Sequence, residues 1–210
     1  MHTRAMVLPT DSRIDLTVPT LAAHVPDYEQ DIDEILISEQ EIQDRIRSFG
    51  ERITEDYKGE DSLLLVGVLK GAFVVMADLA RHIRRPLEFD FMAVSSYGAA
   101  TKTSGVVRIL KDLDHEIEGR NVLLVEDIVD SGLTLSYLLK NLRTRRPKSL
   151  EVCSLMQKTG VEQVRLDIRY RGFDIPPVFV VGYGLDFAER FRNLPYVATL
   201  KPEAYEGAVL

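Results

Sequence analysis

The chain has 210 residues, 45% of them hydrophobic and 28% charged, with a formal net charge of −7, which fits one globular domain with a substantial core and excludes a disordered or fibrous chain. The acidic balance argues against a nucleic-acid or anionic-membrane surface as the main partner, but not against an anionic small ligand in a cleft that is locally basic or holds a metal. The single cysteine, Cys153 in LEVCSLM, rules out an internal disulfide and is expected to be a buried thiol, and with no run of membrane-spanning length and no signal-peptide core the expected setting is the reduced cytoplasm.

Residues 1–33, with Pro9, Pro19 and Pro26 and no sustained period, read as an irregular or mobile arm, and a single domain is expected over 34–210. Regular structure begins near DEILIS. Ser38 and Glu41 form a capping-box pattern, and Ile42, Ile46, Phe49, Ile53 and Tyr57 then recur on one helical face, which predicts an amphipathic helix. SLLLVGVL reads as a buried strand and KGAFVVMADLARHIRR as a helix. LEFDFMAVSSY and GVVRILKD read as strands, joined by the small, polar GAATKTSG, a loop expected to move.

NVLLVEDI is the next predicted strand, LTLSYLLKNLRTRR a helix and SLEVCSLMQ a strand, with VFVVGYG and YVATL closing the pattern. Strands that alternate with helices and consist of continuous apolar runs predict an α/β fold, a mainly parallel twisted sheet with helices on both faces.

Chemistry concentrates in VLLVEDIVDSGLT, residues 122–134. In an open α/β sheet, ligands bind beyond the C-terminal ends of the strands. Glu126 and Asp127 are therefore expected to emerge past VLLV at a site. Asp130, Ser131, Gly132 and Thr134 follow as a turn into a helix, able to offer backbone N–H groups, hydroxyls and the positive end of the helix dipole to a phosphate. Neither the Walker spacing nor the Gly-rich dinucleotide fingerprint is present, so a monoester phosphate fits better than a triphosphate chain. A phosphorylated ribose satisfies both halves of the motif, because carboxylates accept hydrogen bonds from its diol and can hold Mg²⁺. As a generic acidic pair, Glu126 and Asp127 would be a solvated strand end with Ser131 a helix cap; their place beside a phosphate cradle favours the functional reading.

VLLVEDIVDSGLT resembles the phosphoribosyl-pyrophosphate motif of the type I phosphoribosyltransferases. LKGA at Leu69–Ala72, SSYG at Ser95–Gly98 and FVVGYGLDFAERFRNLPY from Phe179 follow in the order of that family's hypoxanthine-guanine branch, so the resemblance runs from about Ile35 to Tyr205. It implies the type I fold with a small hood and a mobile flap beginning at Ser96 and Tyr97. It implies Mg²⁺ as cofactor, held by Glu126, Asp127 and Asp186, with phosphoribosyl pyrophosphate, hypoxanthine and guanine as substrates, and a homodimer or homotetramer as the assembly. Glu126 and Asp127 would bind the ribose hydroxyls, and Ser131, Gly132, Leu133 and Thr134 the 5-phosphate. Asp130 would be the general acid/base at the purine N7. Leu69, Lys70, Gly71 and Arg192 would meet pyrophosphate. Lys158, expected just after its strand, would donate to the 6-oxo group, Phe179 would stack on the base, and Ile128, Val180 and Asp186 would complete the base side.

Two positions depart from the family pattern. Leu133 stands where some members carry a basic residue. RLDIRYRGFDIP has Tyr170 and Arg171 where a more acidic or Pro-containing run is expected. Other readings of the same residues remain. One is a non-catalytic regulator of this fold that binds phosphoribosyl pyrophosphate or nucleotides; the others are a transferase for adenine or a pyrimidine, against which FVVGYGLD argues, and a nucleotide-binding module without chemistry.

Overall fold

The computed structural model describes residues 26–97, 106–160 and 164–205. Its main sheet has six strands in the order β4-β3-β2-β5-β6-β7. These are β2 (Leu63–Leu69), β3 (Leu87–Tyr97), β4 (Val106–Lys111), β5 (Asn121–Val129), β6 (Ser149–Lys158) and β7 (Tyr170–Ile175). All neighbours run parallel except β4, which is antiparallel to β3. β1 (Ile32–Ile37) and β8 (Val197–Leu200) pair antiparallel as a separate two-stranded hood.

The continuous apolar runs of β2 and β5 follow from burial on both sides of the sheet. Side chains alternate across a strand, so Leu63, Leu65, Leu123 and Val125 face α2 (Glu39–Asp56) and α3 (Ala72–His82). Leu64, Val66, Val68, Val122 and Leu124 face α4 (Leu133–Arg143). α2 starts as its capping box predicts, with the Ser38 N–H donating to Glu41 Oε2 at 2.9 Å and the Glu41 N–H donating to Ser38 Oγ at 3.4 Å. Its stripe Ile42, Ile46, Phe49 and Ile53 is buried. Cys153 lies in the same core, and burial pushes its thiol up to about 12, so it is an inert packing group.

β1 begins at Ile32, and α1 (Pro26–Glu29) brings Tyr28 to within 4.5 Å of Phe191, centroid to centroid; residues 1–25 of the expected N-terminal arm lie outside the described residues. VFVVGYG is not a strand: around it only isolated bridges form, Val181 with Ala198 and Gly182 with Leu185. Positive φ angles at Gly182, Tyr183 and Gly184 keep it irregular. RLDIRYRGFDIP contains β7. Tyr170, which departs from the pattern of the family the sequence resembles, is fully buried and donates its hydroxyl to Asp56 Oδ2 at 2.8 Å. YVATL does form a strand, but in the hood and not in the main sheet. Of the flap, Ser96 and Tyr97 end β3, and 98–105 lie outside the described residues. Among the described residues no helix is long and apolar enough to cross a membrane.

Candidate active site

The strand that carries the acidic pair does not stop before it. β5 runs to Val129, so Glu126 and Asp127 sit within the sheet and are buried, 7% and 9% exposed. The reason is pairing with β6, whose Ser154, Met156 and Gln157 partner Glu126, Ile128 and Val129. Strand alternation then separates the two carboxylates. Glu126 follows Val122 and Leu124 to the α4 side, while Asp127 follows Leu123 and Val125 to the side of α3.

On the α4 side, Glu126 lines a cavity of about 200 Å³ with Val68, Ile128, Asp130, Ser131, Gly132 and Thr134. Gly132 is the N-cap of α4 with φ 78, a left-handed conformation that suits glycine, and no side chain caps the helix start. Ser131 Oγ is 3.5 Å from the Leu133 N–H, too long for an effective cap. The start of α4, Ser131 and Thr134 thus line one small cavity together. Leu133 is 54% exposed and does not line it. The Val164 N–H donates to Ser131 O at 3.0 Å, which braces the turn from outside. Burial, and then the neighbouring Asp127 charge, hold the Glu126 carboxyl well above the usual carboxylate range.

On the other side, Asp127 presses against the loop between β2 and α3. A Cβ on Gly71 would fall 1.5 Å from Asp127 Oδ2, so only a glycine admits the carboxylate. The Leu69–Lys70 peptide in this loop is cis. Gly184 packs equally closely, since a Cβ there would lie 2.2 Å from Gly71 O. Burial pushes the Asp127 carboxyl up to about 6; the Ile128 N–H, 2.7 Å from Oδ1, and the Arg192 charge oppose that rise, while Asp186 adds to it.

The 183–194 hairpin brings the remaining charges. Arg192 Nη2 is 2.7 Å from Asp186 Oδ1, and Arg192 Nη1 donates to Gly184 O at 2.8 Å. Lys70 Nζ is 2.9 Å from both oxygens of Glu189. Tyr183 donates its hydroxyl to Asp78 Oδ2 on α3 at 2.6 Å, tying this hairpin to the helix that follows Gly71. Lys158 is the last residue of β6, not a loop residue beyond it, and its Nζ is 2.9 Å from Asp130 Oδ2. Phe179 is 45% exposed and meets Phe187 and Tyr205 edge-on, with ring centroids 5.8 and 6.0 Å away; Val180 behind it is buried.

Three groups of residues therefore stand side by side: the small cavity with Glu126 and Asp130, the Asp130–Lys158 pair, and the charged loop side with Lys70, Arg192, Asp186 and Asp127. Glu126, Asp127 and Asp186 do not converge as one ligand cage, and among the described residues no three His, Cys, Asp or Glu do. That donor set still suits Mg²⁺, which takes one or two carboxylates and completes its shell with water and substrate phosphate. Glu189 and the Tyr183–Asp78 link are not evident in the sequence, because each depends on contacts between distant segments. A weak signal for Glu189 was its position in FAERFRN, a charge-rich stretch among apolar neighbours.

The family model for the phosphoribosyl transferase domain matches residues 31–188. The chain is 55% identical over 185 residues to a hypoxanthine-guanine phosphoribosyltransferase of Mycobacterium avium, covering 85% of this chain and 91% of that one. It is 51% identical over 177 residues to the enzyme of the same name from Bacillus subtilis, covering 84% and 98%. A crystal structure of a hypoxanthine phosphoribosyltransferase from Staphylococcus aureus superposes with a TM-score of 0.79 at 44% identity, covering 83% of this chain and 95% of that one.

Proposed function

The chain belongs to the phosphoribosyl transferase family, and from that premise we propose that it transfers the phosphoribosyl group of 5-phosphoribosyl 1-pyrophosphate to N9 of hypoxanthine or guanine, a purine-salvage reaction that yields IMP or GMP and pyrophosphate. The observation that carries the choice of base is the 2.9 Å spacing of Lys158 Nζ and Asp130 Oδ2. A 6-oxopurine presents O6 and N7 side by side on one edge, so a donor and an acceptor about one hydrogen-bond length apart match an O6 acceptor and an N7–H donor. Adenine presents an amino group at position 6, which an ammonium with only donors cannot satisfy.

In the proposed reaction, the cavity of Ser131, Gly132 and Thr134 anchors the 5-phosphate and Glu126 accepts from the ribose hydroxyls. The bond from C1 to the pyrophosphate oxygen breaks, with its electron pair leaving on pyrophosphate, through an oxocarbenium-like state. Lys70 and Arg192 stabilise the departing anion. N9 of the base forms the new bond to C1 as the N7 proton passes to Asp130. Phe179 stacks on the base, and Ile128 and Val180 border it. Asp127 and Asp186 would hold Mg²⁺, with Glu126 adding charge from the opposite face of β5; the ion supplies neutralisation of pyrophosphate charge. A cytoplasmic setting and a homo-oligomeric assembly accord with this reading.

An absorbance assay with phosphoribosyl pyrophosphate and Mg²⁺ tests it against hypoxanthine, guanine, xanthine, adenine and uracil. Metal-dependent turnover of hypoxanthine or guanine, with adenine and uracil inert, is expected. Silence with every base alongside retained binding of phosphoribosyl pyrophosphate would overturn catalysis and leave a regulator of the same fold.

A further inference from the structure

Glu189 places its carboxylate between the two cations assigned above to pyrophosphate. Lys70 Nζ is 2.9 Å from both of its oxygens and Arg192 Nη2 is 3.4 Å from Oε2. Its own N–H donates to Asp186 Oδ2 at 2.9 Å, which fixes the turn. That turn is conformationally costly: Ala188, Glu189 and Phe191 have φ of 51, 63 and 75, a region that non-glycine residues seldom adopt.

We infer that Glu189 is a built-in stand-in for one phosphate of pyrophosphate, competing with the ligand for Lys70 and Arg192 and so limiting the affinity of that subsite. The inference rests on the pyrophosphate assignment of those two cations. A carboxylate and a phosphoryl group both present oxygens that suit an ammonium and a guanidinium fork. The Lys70 and Glu189 side chains are 62% and 66% exposed, so their ion pair is weak. A multiply charged pyrophosphate displaces it easily, yet the displaced carboxylate stays close and repels the bound anion. Such a device keeps pyrophosphate from lingering after the transfer and favours its release.

The test is binding of inorganic pyrophosphate in the presence of Mg²⁺, read by calorimetry and as product inhibition against phosphoribosyl pyrophosphate. Glu189→Gln keeps the side chain's size and removes its charge, and should tighten pyrophosphate by about three- to tenfold, a gain that shrinks at high ionic strength. Affinity for the nucleoside monophosphate product, which does not reach this subsite, should not move. A side chain that merely ordered Lys70 and Arg192 would give the opposite sign, so unchanged or weaker pyrophosphate binding in Glu189→Gln overturns the inference. Lys70→Gln separates this failure from a wrong assignment. If Lys70→Gln weakens pyrophosphate while Glu189→Gln changes nothing, only the role of Glu189 falls; if Lys70→Gln has no effect, the pyrophosphate subsite and the inference fall together.

Discussion

Lys158 Nζ and Asp130 Oδ2 lie 2.9 Å apart although 28 residues separate them, because β5 and β6 are parallel neighbours that end together. Lys158 is 16% exposed at its side chain and Asp130 59%, so the ammonium is held from below while the carboxylate stays accessible. Each side chain fixes the other, and in the proposed reaction the pair would read the purine edge. Lys158→Ala should raise KM for hypoxanthine and guanine by about 10- to 100-fold, the worth of a charged hydrogen bond, with the melting temperature little changed. Unchanged kinetics with both bases would remove Lys158 from the site. Asp130→Asn should instead lower kcat by about 100-fold or more and leave phosphoribosyl-pyrophosphate binding within a few-fold. An intact turnover number would sink its acid/base role.

Gly71 is the point where the loop between β2 and α3 meets the buried Asp127 carboxylate. A methyl group there would collide with Asp127 Oδ2, and backbone and carboxylate are both fixed by their neighbours. Gly71→Ala should therefore cost about 1–3 kcal/mol of stability and displace Asp127 or Lys70 enough to abolish most turnover. Thermal melting and steady-state kinetics on the purified variant check both effects, and a fully active Gly71→Ala protein would refute the close packing.

Asp127 couples stability to pH. Its carboxyl is pushed from the ordinary 3.8 up to about 6, so folding favours the protonated form. The stabilisation that follows is fully present below about pH 4 and is lost as pH rises through about 6. At neutral pH the ionised group is a net cost on the order of 3 kcal/mol in the metal-free protein. Asp127→Asn should raise the melting temperature in a chelator-containing buffer at pH 8, by several degrees, with little gain at pH 4 and activity lost at both. An equal rise at both pH values would show that ionisation of Asp127 is not the cause.

Phe179 is exposed for an aromatic residue, and among the described residues its aromatic neighbours Phe187 and Tyr205 meet it edge-on, an arrangement compatible with a base stacking on its ring. Phe179→Ala should raise KM for the base by about 5- to 100-fold, the worth of one stacking contact, while Phe179→Tyr retains near-normal values. A loss of stability without a change in KM would assign Phe179 to the hood packing alone.

The sequence by itself determined most of the architecture. The capping box at Ser38, the stripe Ile42–Ile53 and the two-sided apolar runs of β2 and β5 are local patterns, and local patterns set helix and strand. It also marked the turn proposed to hold a phosphate, because Asp130, Ser131, Gly132 and Thr134 are contiguous in the chain. Periodicity failed at VFVVGYG, an apolar run that does not pair as a strand because positive φ angles at 182–184 keep it irregular. The polar residues of RYRGFDI are tolerated in a strand because β7 is the edge of the sheet.

Only the tertiary structure decided where Glu126 and Asp127 point. Pairing with β6 extends β5 through them, and strand alternation sends one to the cavity beside Ser131 and Thr134 and the other to Gly71. The tertiary structure likewise decided that Lys158 meets Asp130 and that Glu189 meets Lys70 across 119 residues. Charge pairs of that kind depend on which distant segments the sheet order brings together, and no local pattern of residues carries that information.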